Sequence, residues 1–332
     1  VRIALAGLGS SALRAHLPAL AALGTDATLV AAADPAGVRR NALAAQSPAT
    51  LLFPSAEDML AEVDCDVLVV ATTPSSHTEL VALGMDRGLD VLCEKPLSIR
   101  ETDHATIARA CARRPDLAVV PVHQYRYSPQ WREMARWARL ANHLQQAFSL
   151  MFSIERPSTD PHAVSPWRKD IDQTGGMLAD MGVHFLALAW TIDPRLGLLA
   201  AFREIEASGE RSTAIYRVGS GVMVLEMSNG APARHNHAAL SLGPMSIDWD
   251  DSAARAAVRG RRLRQRVVPA LSDRHHVDAL YRPLYRDLAR NRLNPAWRIE
   301  RTAETLAVGA ATVELLEQTP LERQWTPATP TS

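Results

Sequence analysis

The first 122 residues alternate short apolar runs with helical stretches, and this alternation constrains the fold more than any other feature. The apolar runs occupy residues 1–6, 27–33, 66–71, 91–93 and 117–122. Between them the spacing of apolar positions predicts helices over 13–23, 38–45, 56–63, 77–88 and 99–113. Such short runs, apolar almost throughout, suit strands buried on both faces. Strands and helices alternating at this spacing imply a parallel sheet covered by helices on both sides.

After residue 122 the texture changes. A helix rich in Trp and Arg is predicted over 129–147, a strand over 148–156, a polar, Pro-rich loop over 157–173 and a helix over 176–191. Strand candidates follow at 199–205, 213–218, 221–227, 237–241 and 244–249, separated by turn signals such as Ser228-Asn229-Gly230. Helices are predicted over 277–292 and 302–318. The expected fold class is α/β. A doubly wound parallel sheet over 1–122 precedes an α+β domain over 123–332 with a mostly antiparallel open sheet. The length of 332 residues suits two domains of ordinary size.

The formal net charge is +0, so the total charge points to neither nucleic acid nor an anionic membrane. The basic run Arg259 to Arg266 reads as a solvated face. No apolar run is expected to reach the length of a membrane span. Cys65, Cys93 and Cys111 form no CxxC pair and read as thiols in a reducing compartment, which makes a cytoplasmic location the expectation. His275 and His276 are adjacent and lack a carboxylate or Cys cluster, so no metal site is expected.

Gly7-Leu8-Gly9 with Ala12 stands at the end of the first strand and the start of a helix. In that context Gly7 permits a tight turn, and Gly9 lets a pyrophosphate approach the backbone. The free N–H groups of the helix start face the phosphates. Asp34 ends the second strand. A carboxylate there accepts from ribose hydroxyls and repels a 2′-phosphate, which favours NAD. Arg39 and Arg40 leave NADP open.

Further along stand Thr73-Pro74 followed by His77, then Glu94-Lys95-Pro96, then Tyr125-Arg126-Tyr127-Ser128-Pro129 and Trp167-Arg168. Last comes Gly175-Gly176 with Asp180, Gly182 and His184. In this order they resemble the Gfo/Idh/MocA family of oxidoreductases, which includes glucose–fructose oxidoreductase and inositol dehydrogenases. The resemblance implies a Rossmann domain with Gly7, Gly9, Ala12, Asp34, Thr73, Pro74, His77, Glu94 and Lys95 at the cofactor. It implies that Lys95 contacts the reacting oxygen, that His184 is general acid or base, and that Asp180 supports them. Asp180 and His184 lie four apart on a predicted helix and so share a face. Some relatives that reduce nucleotide-linked keto sugars carry Tyr in place of His184. The His here suits a cyclitol or aldose dehydrogenase.

Arg126, Trp167 and Arg168 are candidate substrate contacts. Arg126 is equally suited to an ion pair at the domain interface, and His123 and Tyr125 are candidate pocket lining. Gly175 and Gly176 would let the backbone approach nicotinamide or substrate. The implied activity is NAD(P)-dependent hydride transfer at a secondary alcohol of a sugar, cyclitol or polyol. A homo-oligomer, dimer or tetramer, is implied through the exposed sheet face over 199–249. The alternatives are a non-catalytic dinucleotide sensor and an NAD-dependent glycoside hydrolase of the same fold.

Overall fold

The computed structural model describes residues 1–157, 170–206, 209–243, 245–250, 255–259, 266–267 and 277–319. Six strands form the first sheet: β1 (Arg2–Ala6), β2 (Thr28–Ala33), β3 (Leu51–Phe53), β4 (Val67–Val70), β5 (Asp90–Cys93) and β6 (Val119–Pro121). All neighbours are parallel, in the order β3-β2-β1-β4-β5-β6. The order reverses between β1 and β4, and in open sheets of this kind ligands bind outside the carboxyl ends of the strands at such a switch point. The sequence predicts five of these strands. The sixth, β3, is a three-residue edge strand with no buried residue, so it lacks the apolar signal of the others.

Side chains alternate across the sheet into two cores. Leu5, Val69, Leu92 and Val120 point to one side and meet Ala12, Ala15 and Leu20 of the first helical segment. Ala4, Leu68, Val91 and Val119 point to the other and meet Met59, Val81, Met85 and Ile107.

The second sheet comprises β7 (Ser149–Arg156), β8 (Leu196–Glu206), β9 (Gly209–Val218), β10 (Gly221–Asn229), β11 (His235–Leu242), β12 (Met245–Asp250), β13 (Arg255–Arg259) and β14 (Arg266–Val267). Its order is β14-β13-β12-β11-β7-β10-β9-β8, antiparallel except for β7 beside β10. Phe152, Tyr216, Leu225, Leu240 and Trp249 fill one face. They pack with Met134 and Ala138 of the helix Pro129–His143 and with Phe185 and Ala189 of the helix Val183–Ile192. The basic run was expected to be solvated. Its ends fall in β13 and β14, and residues 260–265 lie outside the described residues, as do His275 and His276.

The tail returns to the first sheet. Leu280, Leu284, Tyr285 and Leu288 share a core with β1 and β4, and Thr305 Oγ1 donates to the carbonyl of Val119 at 2.7 Å. Val308, Ala311 and Leu315 of the helix Pro295–Gln318 lie in the second core instead. Residues assigned by sequence to the second domain therefore pack in both cores.

One correction concerns length. The stretch Ile171–Ile192 is long and apolar enough to cross a membrane, contrary to expectation. It is apolar because it runs through the second core, where 72% of its most apolar window is buried.

Candidate active site

The glycine loop leaves β1 at this switch point. Gly7 has φ +93°, and a Cβ there would lie 2.6 Å from the carbonyl oxygen of Ala71 at the end of β4. Only glycine fits that approach. A Cβ at Gly9 would meet nothing within 4 Å. The space above Gly9 is open, as a pyrophosphate cradle requires. Ala12 is fully buried against β1, which gives the third small position its packing reason.

Asp34 follows β2 with its carboxylate almost fully buried. Oδ2 accepts from the Leu8 N–H at 2.8 Å and from Arg39 Nη1 at 3.2 Å, and Oδ1 accepts from the Ala36 N–H at 2.8 Å. A carboxylate offers about four acceptor positions, so Oδ1 keeps capacity for a donor such as a ribose hydroxyl. Arg40 Nη1 donates to the backbone carbonyls of Asp34 and Pro35 at 2.6 and 3.0 Å. The residues present fit a dinucleotide.

Thr73 and Pro74 stand beyond β4, where the Thr73 and Ser75 hydroxyl oxygens lie 3.1 Å apart. His77 was expected at the cofactor. It is fully buried instead, with Nδ1 2.9 Å from the Pro96 carbonyl oxygen and Nε2 3.3 Å from that of Thr72. Burial pushes its imidazole below the ordinary value. His77 thus links the turn after β4 to the turn after β5.

Glu94 is likewise buried and bonded within the protein. Oε1 accepts from His16 Nε2 at 3.0 Å and from the Tyr281 hydroxyl at 3.2 Å, and Oε2 accepts from the Lys95 N–H at 3.1 Å. Burial alone would raise this carboxyl. The His16 hydrogen bond and the Lys95 charge hold it below its ordinary value. The other His16 nitrogen, Nδ1, lies 2.7 Å from the Tyr285 hydroxyl. Glu94 therefore joins the first helical segment, the C-terminal segment and the lysine turn. Sequence reading missed His16, Tyr281 and Tyr285, because a contact across 269 residues leaves no local pattern.

The turn carries a cis Lys95–Pro96 bond. Lys95 Nζ donates to Asp180 Oδ1 at 2.6 Å and to the Asp180 carbonyl oxygen at 2.9 Å. The Lys95 side chain is 12% exposed, so it is largely withdrawn from solvent. Asp180 lies in a π-helical turn, Leu178–Gly182, that continues into the helix Val183–Ile192. Such widened turns recur at functional sites. His184, on the first turn of that helix, is buried, with its ring edge-to-face with Tyr125 at 4.7 Å. Tyr125 stacks on Trp131 at 4.9 Å.

A compositional signal for Lys95 was also missed. Of 36 basic residues, only Lys95 and Lys169 are lysine. The chain uses arginine almost wherever a cation suffices. Lys95, paired with Asp180, is one of the two exceptions, and its ammonium is a compact point charge where guanidinium is a planar fork.

Two glycine expectations change. A Cβ on Gly175 would lie 2.6 Å from Ala179 Cβ, and one on Gly176 would lie 2.2 Å from Arg203 Nη2 and 2.3 Å from Glu210 Oε2. Protein atoms fill the space expected for ligand. Arg126 takes the interface role: Nη1 donates to Glu304 Oε2 at 2.8 Å and Nη2 to Glu300 Oε1 at 3.3 Å. His123 Nδ1 lies 3.2 Å from Glu304 Oε1 in the same cluster. Trp167 and Arg168 lie outside the described residues.

A family model described as an oxidoreductase family with an NAD-binding Rossmann fold matches residues 1–121. That match covers the N-terminal domain and agrees there with the resemblance to the Gfo/Idh/MocA family. A D-xylose 1-dehydrogenase (NADP+) of Haloferax volcanii is 28% identical over 232 residues, 69% of this chain and 66% of that one. The chain spans between about a quarter and two thirds of the lengths of the curated relatives it matches. A 3-ketoreductase from Actinomadura kijaniata, solved with NADP and TDP-benzene, superposes with TM-score 0.77 at 19% identity, covering 96% of this chain and 98% of the other. A levoglucosan dehydrogenase in complex with NADH gives TM-score 0.77 at 14% identity with the same coverage. Both structures share the two-domain fold.

Proposed function

We propose that this chain is an NAD(P)-dependent oxidoreductase that interconverts a secondary alcohol and a ketone in a sugar, cyclitol or related polyol. The contact of Lys95 Nζ with Asp180 Oδ1, at the carboxyl end of the parallel sheet, carries the reading. The nicotinamide, when bound, supplies or accepts the hydride. Lys95 stabilises negative charge on the oxygen of the reacting carbon. Asp180 holds the ammonium in place through both its side chain and its carbonyl. His184 takes the hydroxyl proton on oxidation and returns it on reduction, a task suited to imidazole.

The spare acceptor position on Asp34 favours NAD. Relatives are named for NADP as well, and Arg39 and Arg40, both bonded to Asp34, are the cations available to a 2′-phosphate. The outer face of the second sheet, with Met151 and Phe202 exposed, is the surface for self-association.

The test is a polyol panel with NAD+ and NADP+, followed by absorbance of the reduced nicotinamide. Lys95→Ala is expected to lower kcat about 100-fold while NADH still binds with the wild-type Kd. Full turnover in that variant would overturn the reading. Tighter binding of NADPH than NADH would move cofactor recognition from Asp34 to Arg39 and Arg40.

A further inference from the structure

The second sheet contains a buried ion pair of unusual placement. Arg203 on β8 and Glu210 on β9 are joined by Nε to Oε1 at 3.0 Å, with side chains 4% and 2% exposed. Burying such a pair sacrifices hydration, and apolar residues of similar volume often serve stability as well or better. The pair's other bonds show what it does instead. Arg203 Nη2 donates to the Gly175 carbonyl at 3.0 Å, and Glu210 Oε2 accepts from the Met177 N–H at 2.8 Å. Ser212 Oγ donates to Glu210 Oε1 at 2.8 Å and braces it. The turn 175–177 is gripped from both sides. Gly176 lacks the Cβ that would collide with either partner. Three residues beyond Met177 stands Asp180, which holds Lys95.

We propose that Arg203 and Glu210 are positioning residues that set Asp180 against Lys95. The proposal rests on the catalytic reading given above. The pair acts through the turn and Asp180, not on a ligand. It anchors the start of the catalytic helix to the rigid sheet of the second domain, while Lys95 stands on the first. The reacting ammonium is thereby held between the two domains.

The two-lysine composition allows a test without substrate or cofactor. Trace acylation with N-hydroxysuccinimidyl acetate, read by peptide mass spectrometry, gives the rate at Lys95 against Lys169 as internal standard. Glu210→Gln replaces one acceptor oxygen with a donor, so either the Met177 N–H or Arg203 loses its partner. The Lys95 to Lys169 ratio is expected to rise about three- to tenfold as Lys95 is released. Asp180→Asn should raise it comparably, and Glu210→Gln added to Asp180→Asn should raise it no further. In the polyol assay Glu210→Gln should lower kcat while leaving the Kd for NADH unchanged.

Arg203→Lys, which keeps the charge but lacks the planar fork whose Nε and Nη2 reach Glu210 and Gly175, provides a gentler second variant with the same expected direction. Ratios within twofold of wild type in both folded variants would overturn the inference, as would effects that add fully to Asp180→Asn. So would failure of both variants to fold, which would make the pair a folding element only. A Lys95→Ala enzyme with full turnover would sink the catalytic reading but leave the labelling result intact. Unchanged labelling beside an inactive Lys95→Ala would sink this inference alone.

Discussion

Gly7 and Gly9 lie two residues apart and meet opposite demands. Gly7 is pressed against β4, with the Ala71 carbonyl where a Cβ would be and a φ of +93° that L side chains rarely adopt. Gly9 faces open space. Gly7→Ala should therefore destabilise the fold by about 1–3 kcal/mol from backbone strain and overpacking. Gly9→Ala should leave thermal unfolding unchanged and weaken NADH at least about tenfold, because its methyl occupies the pyrophosphate approach. Thermal melts and calorimetric NADH titration of both variants separate the two. Unchanged NADH affinity in a folded Gly9→Ala would remove the cradle assignment. At this scale the sequence carried much of the candidate site. Gly7, Gly9, Ala12 and Lys95 stand in motifs whose spacing has a physical cause. It could not show that the Gly176 cleft holds Arg203 and Glu210, since that contact is made by strands with no spacing relation to the turn.

At the scale of elements, strands buried on both faces were legible because they are apolar throughout. The edge strand β3 was not, since none of its residues is buried. The last helix was expected over 302–318 and begins at Pro295. Its start signal was present in the sequence. The Asn294 side chain accepts from the Ala296 N–H at 3.0 Å, and Pro295 opens the helix with the φ it already prefers. The weakly apolar first turns, with Trp297 and Ile299 among charged residues, hid it. Removing the cap with Asn294→Ala should cost about 1 kcal/mol and fray the residues before Arg301. Hydrogen exchange of the amides of residues 296–300 should quicken while the amides after 305 keep their protection. Equal exchange throughout would show that packing alone sets the helix start.

At the scale of the whole molecule, buried charges tie the segment after β6 to the last helix. Glu304 projects from the last helix and is almost fully buried. Its partners are His123 and Arg126, which follow β6, and Arg301 one turn earlier on its own helix. Burial alone would raise this carboxyl. The His123 hydrogen bond and the charges of Arg126, His123 and Arg301 outweigh it, and the pKa falls from 4.5 to about 2. Between those values the unfolded chain binds the proton and the folded one does not, so stability rises with pH across that window. The contribution is fully present above about pH 4.5 and is lost as pH falls through about 2. Glu304→Gln should therefore lower the unfolding free energy at about pH 7 by on the order of 3 kcal/mol. The gap to wild type should narrow steadily on acidification below about pH 4.5. Urea unfolding of both proteins from neutral to acid pH checks this. A gap that stays constant with pH would mean that Glu304 contributes shape and hydrogen bonds but no charge. The fold would then draw its acid sensitivity from elsewhere, and the joint between the segment after β6 and the last helix would be no weaker in acid than at neutrality.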